Sequence, residues 1–131
     1  MSSAKRDAQR DAGRNRLAEI FGSHGVDAVA HVGSVAPDLA RQIEEHAYGD
    51  TYARETLSLR DRSLVTIAGL TALGYPQAQL ASHIRGGLNV GLAREEVVET
   101  ITHMALYAGF PAAINAALTA KTVFDDLDGQ V

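Results

Sequence analysis

Prolines and glycines divide this sequence into segments whose apolar residues recur at helical spacing. The three prolines stand where a helix can begin, because the first turn of a helix tolerates a missing N–H. Glycines close several segments, as left-handed helix caps do. We predict one short helical turn, Val26–His31, and six helices. The helices are Ala4–Phe21, Pro37–Ala53, Leu59–Leu73, Pro76–Val90, Arg94–Ala108 and Pro111–Asp126. The closing glycines are Gly22, Gly74, Gly91 and Gly109.

No segment alternates apolar and polar residues as a half-buried strand does. The helix at Leu59–Leu73 is apolar around most of its circumference after Ser63, which is typical of a helix at the centre of a bundle. The predicted fold class is therefore all-α, a single domain of residues 1–131 built as a helical bundle of about six helices. We expect residues 1–6 and 127–131 to be flexible ends.

The composition excludes several classes of chemistry, because the chain has no cysteine. Disulfides, thiolate metal sites, redox cysteine pairs and a cysteine nucleophile are ruled out. The opening MSSAKRDAQR has no apolar run behind its charges, so we expect no secretory signal. The apolar stretches are too short to span a membrane. Together these features predict a cytoplasmic protein with no membrane partner.

The first 16 residues form a basic arm, with five basic and two acidic side chains and hence a charge of +3. The rest of the chain carries −7, for a total of −4. A basic arm can bind nucleic acid, but this arm has no aromatic residue to stack on bases. We therefore expect a solvated helix, or an arm packed on an acidic neighbouring subunit, and no nucleic-acid partner.

A first polar cluster lies in the fourth helix, in the segment QLASHIRGG at 79–87. Gly87 is four residues after His83 and leaves open space beside the imidazole. Arg85 lies about 200° around the helix from His83, so both can touch one ligand only at a junction of helices or subunits. The alternatives are a core or interface histidine bonded to a carbonyl and an arginine held in a structural salt bridge.

A second cluster follows one stripe of the fifth helix, with Glu99, His103 and Tyr107 spaced four residues apart. A carboxylate one turn from an imidazole can fix its tautomer, and a tyrosine can donate a hydrogen bond to a developing oxyanion. The alternative is an intrahelical Glu–His pair beside a half-buried tyrosine. No HExxH spacing, Walker loop, GxGxxG motif or GxSxG elbow is present, so we expect neither a metal nor a nucleotide cofactor.

Several motifs, in order, resemble the carboxymuconolactone decarboxylase family. RDRSLVTIA at 60–68 resembles RxRSLxTIA, and HIRGGLNVG at 83–91 resembles HxRGALNxG. EEVVE at 95–99, followed by HMALYAGFPAA at 103–113, is similar to EExxE…HxAxYxGxPAA. Upstream, RDAG at 10–13 and YGDTYAR at 48–54 look like the family's opening motifs. The resemblance covers about residues 7–125.

The resemblance implies the all-helical fold of alkyl hydroperoxidase D, assembled as a homotrimer or homohexamer. The peroxidase branch uses a CxxC pair that this chain lacks, so no peroxidase activity is expected. The decarboxylase branch, which serves aromatic compound catabolism, needs no cofactor. It converts carboxymuconolactone, a small acidic lactone, to 3-oxoadipate enol-lactone through an enolate.

The resemblance also suggests roles for particular residues. Arg85 would bind a substrate carboxylate, His83 or His103 would supply the proton, and Tyr107 would face the enolate oxygen. The residues expected to bind substrate beside them are Gln79, Gly87, Glu99 and Arg62.

One departure from the family pattern keeps other functions open. Gln79 stands where decarboxylases commonly have glutamate, and a glutamine cannot act as an acid or base. One alternative is a repurposed cofactor-free lyase or isomerase of another, secondary-metabolic pathway on the same scaffold. Another is a non-catalytic oligomeric binding protein.

Overall fold

The computed structural model describes residues 1–129, and within them all regular structure is helical. The α-helices are α1 (Ser3–Phe21), α2 (Ser23–Gly33), α3 (Pro37–Gln42), α4 (Leu59–Leu73), α5 (Gln77–Asn89), α6 (Arg94–Ala108) and α7 (Phe110–Gly129). A π-helical segment, Ile43–Tyr48, continues α3, and a 3₁₀ turn follows at Thr51–Ala53. The all-α prediction is confirmed.

Some predicted boundaries were wrong. The expected short turn at Val26–His31 is the full helix α2, and the expected helix Pro37–Ala53 is divided into α-helical, π-helical and 3₁₀ segments. Helix α1 already begins at Ser3, and α7 continues through Gly129 instead of ending at Asp126. Of the two expected flexible ends, residues 3–6 and 127–129 are therefore helical, and residues 130–131 lie outside the described part.

The glycine caps are confirmed only in part. Gly22 and Gly109 end their helices with an extended ψ instead of the expected left-handed conformation, and the capping residue of α5 is Val90, one before Gly91. Gly22, Gly74, Gly91 and Gly109 all have positive φ, between 71° and 111°, a conformation that side chains with a Cβ rarely adopt. At the start of α1, the Ser2 side chain accepts a hydrogen bond from the Lys5 backbone N–H at 3.2 Å. Local sequence signals thus set where most of the helices stop and start.

The chain divides into two compact units, Met1–Ser58 (unit 1) and Leu59–Val131 (unit 2), the second described as far as Gly129. The single domain over residues 1–131 stays a prediction. In unit 1, Leu17 and Ile20 of α1 are buried, together with Val29 of α2. An aromatic group adds to this core, with the Tyr48 ring 5.9 Å from Phe21 and stacked on Tyr52 at 4.5 Å.

Unit 1 also contains a buried charge. Glu44, in the π-helical segment, is 4% exposed. Arg10 donates to its Oε1 from Nε at 3.2 Å and from Nη2 at 3.0 Å, and Arg14 Nε donates to its Oε2. Helix α1 approaches this segment closely because Gly13 has no Cβ; a methyl group there would overlap the Glu44 carbonyl. A second glycine, Gly49, likewise lies against the Gln9 carbonyl.

Unit 2 is a four-helix arrangement in which α4 and α7 each pack against all three other helices. Its core is apolar and continuous. Ile67 of α4 and Ile84 of α5 are fully buried, as is Val97 of α6. The prediction that the Leu59–Leu73 helix is central holds within unit 2. Its outer face is nevertheless open, since Val65 is 62% exposed.

Candidate functional site

Helix α5 holds the first group of predicted site residues. Gly87 is buried, and a Cβ there would lie 2.7 Å from Leu92 Cδ1 and 3.3 Å from Ile67 Cδ1. The glycine therefore serves close packing of α5 against α4, and the space beside it is filled by core side chains instead of being open. The prediction that Gly87 makes room next to the imidazole is wrong in this respect.

His83 lies one turn before Gly87 and is half-buried. Burial lowers its pKa from 6.5 to about 4, because a charged imidazolium loses hydration there. The imidazole is therefore uncharged at neutral pH. Gln79, one further turn toward the start of α5, is exposed. The two side chains follow one stripe of the helix, at spacing i and i+4.

Arg85 faces away from this stripe. Its Nη2 donates to Asp126 Oδ2 of α7 at 3.1 Å, and both side chains are partly exposed. The salt bridge that we held as the alternative for Arg85 is thus present. Such an exposed pair contributes about 0–1 kcal/mol to the stability of the fold. Another carboxylate can therefore displace Asp126 from Arg85 with little loss of free energy.

Arg62 lies in the second turn of α4, on the helix that packs beside α5. It is half-buried, with its Nε shielded from solvent. Ser63, the next residue, lies against Gly87, which places this end of α4 next to the C-terminal half of α5. Unit 2 therefore has a guanidinium on the helix adjacent to the one that carries His83.

The second group of predicted residues lines a different part of unit 2. An open groove of about 460 Å³ lies along α4 and α6. It is lined by Leu64, Val65, Ala68, Glu96, Glu99, Thr100, His103 and Met104, and we call it the α4–α6 groove. Of the residues predicted for the site, it contains Glu99 and His103, both exposed. Within the described chain these two side chains form no hydrogen bond with each other, so the intrahelical Glu–His pair that we held as the alternative is absent.

The other carboxylate of this groove is already engaged. Glu96 pairs with Arg60 through Oε2 and accepts the Ala93 backbone N–H on Oε1 at 3.0 Å. It thereby caps the start of α6. Tyr107 lies just beyond the groove, with its ring 5.4 Å from that of His103, and it is largely exposed instead of half-buried.

The α4–α6 groove contains only part of the predicted site. His83 and Gln79 belong to α5, whereas the α4–α6 groove has no α5 residue among its described lining. Sequence reasoning missed the groove's outer wall, Val65 and Ala68, because a central helix was expected to be covered on all sides. It also missed Glu44, although the spacing of Arg10 and Arg14, four residues apart, is the signal of a shared anionic partner.

The sequence predicted neither a metal site nor a membrane-spanning segment, and the structure bears on both within residues 1–129. Residues 1–129 contain no group of three histidine, aspartate or glutamate side chains arranged to hold a metal ion. In the same part of the chain, no helix is long and apolar enough to cross a bilayer.

The model of the carboxymuconolactone decarboxylase family matches residues 37–122, a stretch that contains every predicted site residue. The chain belongs to this family. Its fold is accordingly the all-α fold of the alkyl hydroperoxidase D type that carboxymuconolactone decarboxylases have.

Three individual proteins are similar to this chain over about two thirds of its length or more. The chain is 37% identical over 110 residues to 4-carboxymuconolactone decarboxylase of Acinetobacter baylyi, covering 83% of this chain and 81% of that protein. It is 37% identical over 87 residues to nitrosuccinic acid decarboxylase of Metarhizium robertsii, covering 66% and 60%. An uncharacterized 15.0 kDa protein of Paracoccus denitrificans is 32% identical over 95 residues, covering 72% and 71%. Two of these relatives are named as decarboxylases, which supports a lyase-type enzyme.

Proposed function

We propose that this chain is a cofactor-free decarboxylase of the gamma-carboxymuconolactone type, with His83 at the centre of its chemistry. The observation that carries the proposal is the half-buried, uncharged imidazole of His83 on α5, within the region matched to the family. A buried titratable group with a strongly shifted pKa is characteristic of catalytic sites. The two relatives named as decarboxylases supply the reaction class.

The reaction needs an electron sink, and the substrate provides it. In carboxymuconolactone, the bond between the ring carbon and its carboxylate breaks, carbon dioxide leaves, and the electron pair moves through the conjugated double bond to the lactone carbonyl. The resulting enolate then accepts one proton on carbon, giving the enol-lactone. In nitrosuccinic acid the nitro group can take the electron pair in the same way. The protein has only to bind the carboxylates, stabilise the enolate and deliver a proton.

His83 can perform the proton transfer because its charge state responds to an anionic substrate. In the free protein the imidazole is neutral at pH 7, since burial lowers its pKa to about 4. A substrate carboxylate within about 4–6 Å raises the pKa of an imidazole, because it stabilises the charged form. His83 then takes up a proton when the substrate binds and passes it to the enolate carbon.

The charges of unit 2 favour the α5 side over the α4–α6 groove for a dianionic substrate. The groove carries the carboxylate of Glu99, which forms no ion pair within residues 1–129. An unpaired carboxylate repels a dianion. Arg62 lies on α4 and Arg85 lies on α5, and Arg85 becomes available once its exposed bond to Asp126 breaks. Because Arg85 faces away from His83 on α5, this assignment requires the substrate to bind at a junction of helices or subunits, where Arg85 binds a carboxylate and His83 reaches the same molecule. Roles for His103, Glu99 and Tyr107 in catalysis stay predictions.

The proposal is tested by turnover of freshly generated gamma-carboxymuconolactone, followed by ultraviolet absorbance. We expect decarboxylation by the wild type, a loss of about 10²-fold or more in kcat for His83→Ala, and a raised KM for Arg85→Ala. His31→Ala, at an exposed histidine of α2, is the matched control and should retain activity. Full activity of His83→Ala would refute the assignment of the proton donor.

The departure at Gln79 favours a second candidate, a repurposed lyase or isomerase on the same scaffold. Gln79→Glu separates the two, because restoring the carboxylate should raise lactone turnover by a decarboxylase. No turnover by either protein, with the chains folded, would exclude the first candidate. It would leave the second, or a non-catalytic binding protein.

A further inference from the structure

The end of α7 carries more negative charge than a helix end normally accommodates. Asp125, Asp126 and Asp128 lie in its last two turns, and the sequence has no basic residue after Lys121. The C-terminal end of a helix already has a partial negative charge, because its last carbonyls lack partners within the helix, so carboxylates there oppose helix formation. Helix α7 nevertheless continues through Gly129. Its last turns therefore depend on compensating cations.

Two of these cations come from the neighbouring helices of unit 2. Arg85 of α5 donates to Asp126 Oδ2 at 3.1 Å, and Arg94 of α6 donates to the two carboxylate oxygens of Asp128 at 2.8 Å and 3.2 Å. The hydrogen bonds from Arg94 lower the pKa of Asp128 below its ordinary value of 3.8. Asp125 pairs within α7 itself. One guanidinium on α5 and one on α6 thus hold the acidic end of α7.

Apolar packing contributes little to this end of the helix. Val123 is the last residue of α7 that is buried in the described chain, at 1% exposure. Beyond Phe124, the only apolar side chain through Gly129 is that of Leu127, which is partly buried against the core. We call residues 125–129 the acidic strap. The strap is therefore held mainly by exposed ion pairs, which makes its helical state easy to shift.

The Arg85 guanidinium is shared between the strap and the site that we propose for decarboxylation. Its pair with Asp126 is open to solvent, since 37% of the Arg85 side chain and 54% of the Asp126 side chain are exposed. A free carboxylate can therefore reach the guanidinium. The group has one positive charge, so a second carboxylate beside it is repelled by the first. A carboxylate ligand and Asp126 consequently compete for Arg85.

We infer that the acidic strap is an autoinhibitory contact, in which Asp126 occupies Arg85 until a small dicarboxylate displaces it and the strap loses helical order. The coupling is reciprocal, so a loosened strap should raise the affinity of Arg85 for the dicarboxylate by the same factor. Arg94 keeps its hold on Asp128, which limits how far the helix opens. The inference rests on the proposed function only in assigning Arg85 to a substrate carboxylate.

Amide hydrogen exchange of residues 125–129 tests the displacement in the full chain, with malonate as the dicarboxylate probe. We expect saturating malonate to speed this exchange by up to about fivefold, because an exposed ion pair contributes up to about that factor to an equilibrium constant. Sodium chloride at the same ionic strength is the control for screening and should have a smaller effect. Equal effects of the two salts, or none from malonate, would overturn the inference.

A matched pair of arginine variants locates the effect. Arg85→Gln frees Asp126, so exchange in the strap should already be fast without malonate and should no longer respond to it. Arg94→Gln also loosens the strap, because Asp128 loses its partner, but it keeps Arg85 and should keep the malonate response. Loss of the response in both variants would mean that malonate acts on the general charge of the helix end, which contradicts competition at Arg85.

The reciprocal effect is measured by calorimetry of malonate binding. Asp126→Asn should tighten binding by up to about fivefold, because the competing carboxylate is removed. Asp125→Asn removes the same charge from the neighbouring position, where the carboxylate pairs with Lys121, and should leave the affinity unchanged. Equal affinities of the two variants would contradict the inference. These readouts need no turnover, so a chain that responds to malonate without decarboxylating the lactone would refute only the proposed function.

Discussion

The two units of this chain are stabilised by different kinds of contact. Unit 1 packs α1 against a π-helical segment through a buried carboxylate, Glu44, held by two arginines, and through two glycines that admit close backbone approach. Unit 2 packs four helices around a mainly aliphatic core. Their surfaces differ as well, because most of the large exposed apolar side chains belong to unit 2. The comparison teaches that a buried ion pair and close backbone contacts hold unit 1 together, whereas burial of aliphatic side chains holds unit 2 together.

The largest expected effect is on the core of unit 2. Ile67→Ala removes a fully buried side chain and should lower the free energy of unfolding by about 2–5 kcal/mol, since the cavity is enclosed by three neighbouring helices. Urea unfolding measures this loss of stability. Val65→Ala, on the exposed face of the same helix, is the control and should change stability by less than about 0.5 kcal/mol. Similar losses in both variants would remove the distinction between the two faces of α4.

The next effect is on the buried charge of unit 1. Glu44→Gln keeps the shape of the side chain but leaves Arg10 and Arg14 without their anion, so we expect a loss of about 1–3 kcal/mol. The partial exposure of both arginines keeps the loss below that of a fully buried pair. Glu19→Gln, which breaks an exposed pair with Arg16, should cost far less. A Glu44→Gln protein of unchanged stability would show that the ion pairs contribute little to the packing of α1.

The next effect is the pH dependence of stability that His83 confers on unit 2. Because its folded-state pKa is lowered to about 4, the unfolded chain binds a proton more readily than the folded chain between pH 6.5 and 4. The uncharged His83 imidazole therefore makes its full contribution to the free energy of unfolding above pH 6.5, and this contribution is lost as the pH falls to about 4. His83→Gln should flatten this part of the stability profile. Histidine titration by NMR checks the pKa directly, and an ordinary value near 6.5 would contradict the burial argument.

The smallest effect concerns the exposed pair at the end of α7. Asp126→Asn releases Arg85 and should change stability by less than about 1 kcal/mol. If Arg85 binds substrate, as proposed, the same change should lower KM a few-fold with kcat unaffected. Asp128→Asn is the matched control, because Asp128 pairs with Arg94 instead. Equal KM values in both variants would mean that Asp126 does not compete with the substrate for Arg85.

Sequence reasoning succeeded wherever the deciding signal was local. The ends of α4, α5 and α6 agree with the predicted bounds to within one residue, because glycine caps and apolar periodicity act within a few residues of the backbone. It failed at the π-helical segment, whose geometry depends on Gly13 and Gly49 meeting backbone more than thirty residues away. For the site, the sequence identified His83 as an unusual polar residue, but it could not show that Arg85 pairs with Asp126, 41 residues later.

The sequence by itself determined the family, the helical class, most helix ends and the absence of thiol chemistry, because these depend on residue identity and on spacing along one helix. Tertiary structure decided which charges are buried, which imidazole loses its charge, and which apolar side chains remain uncovered. Those properties depend on how much water each group keeps after distant segments pack together. For that reason Glu44 and His83 acquire their significance only in the folded chain.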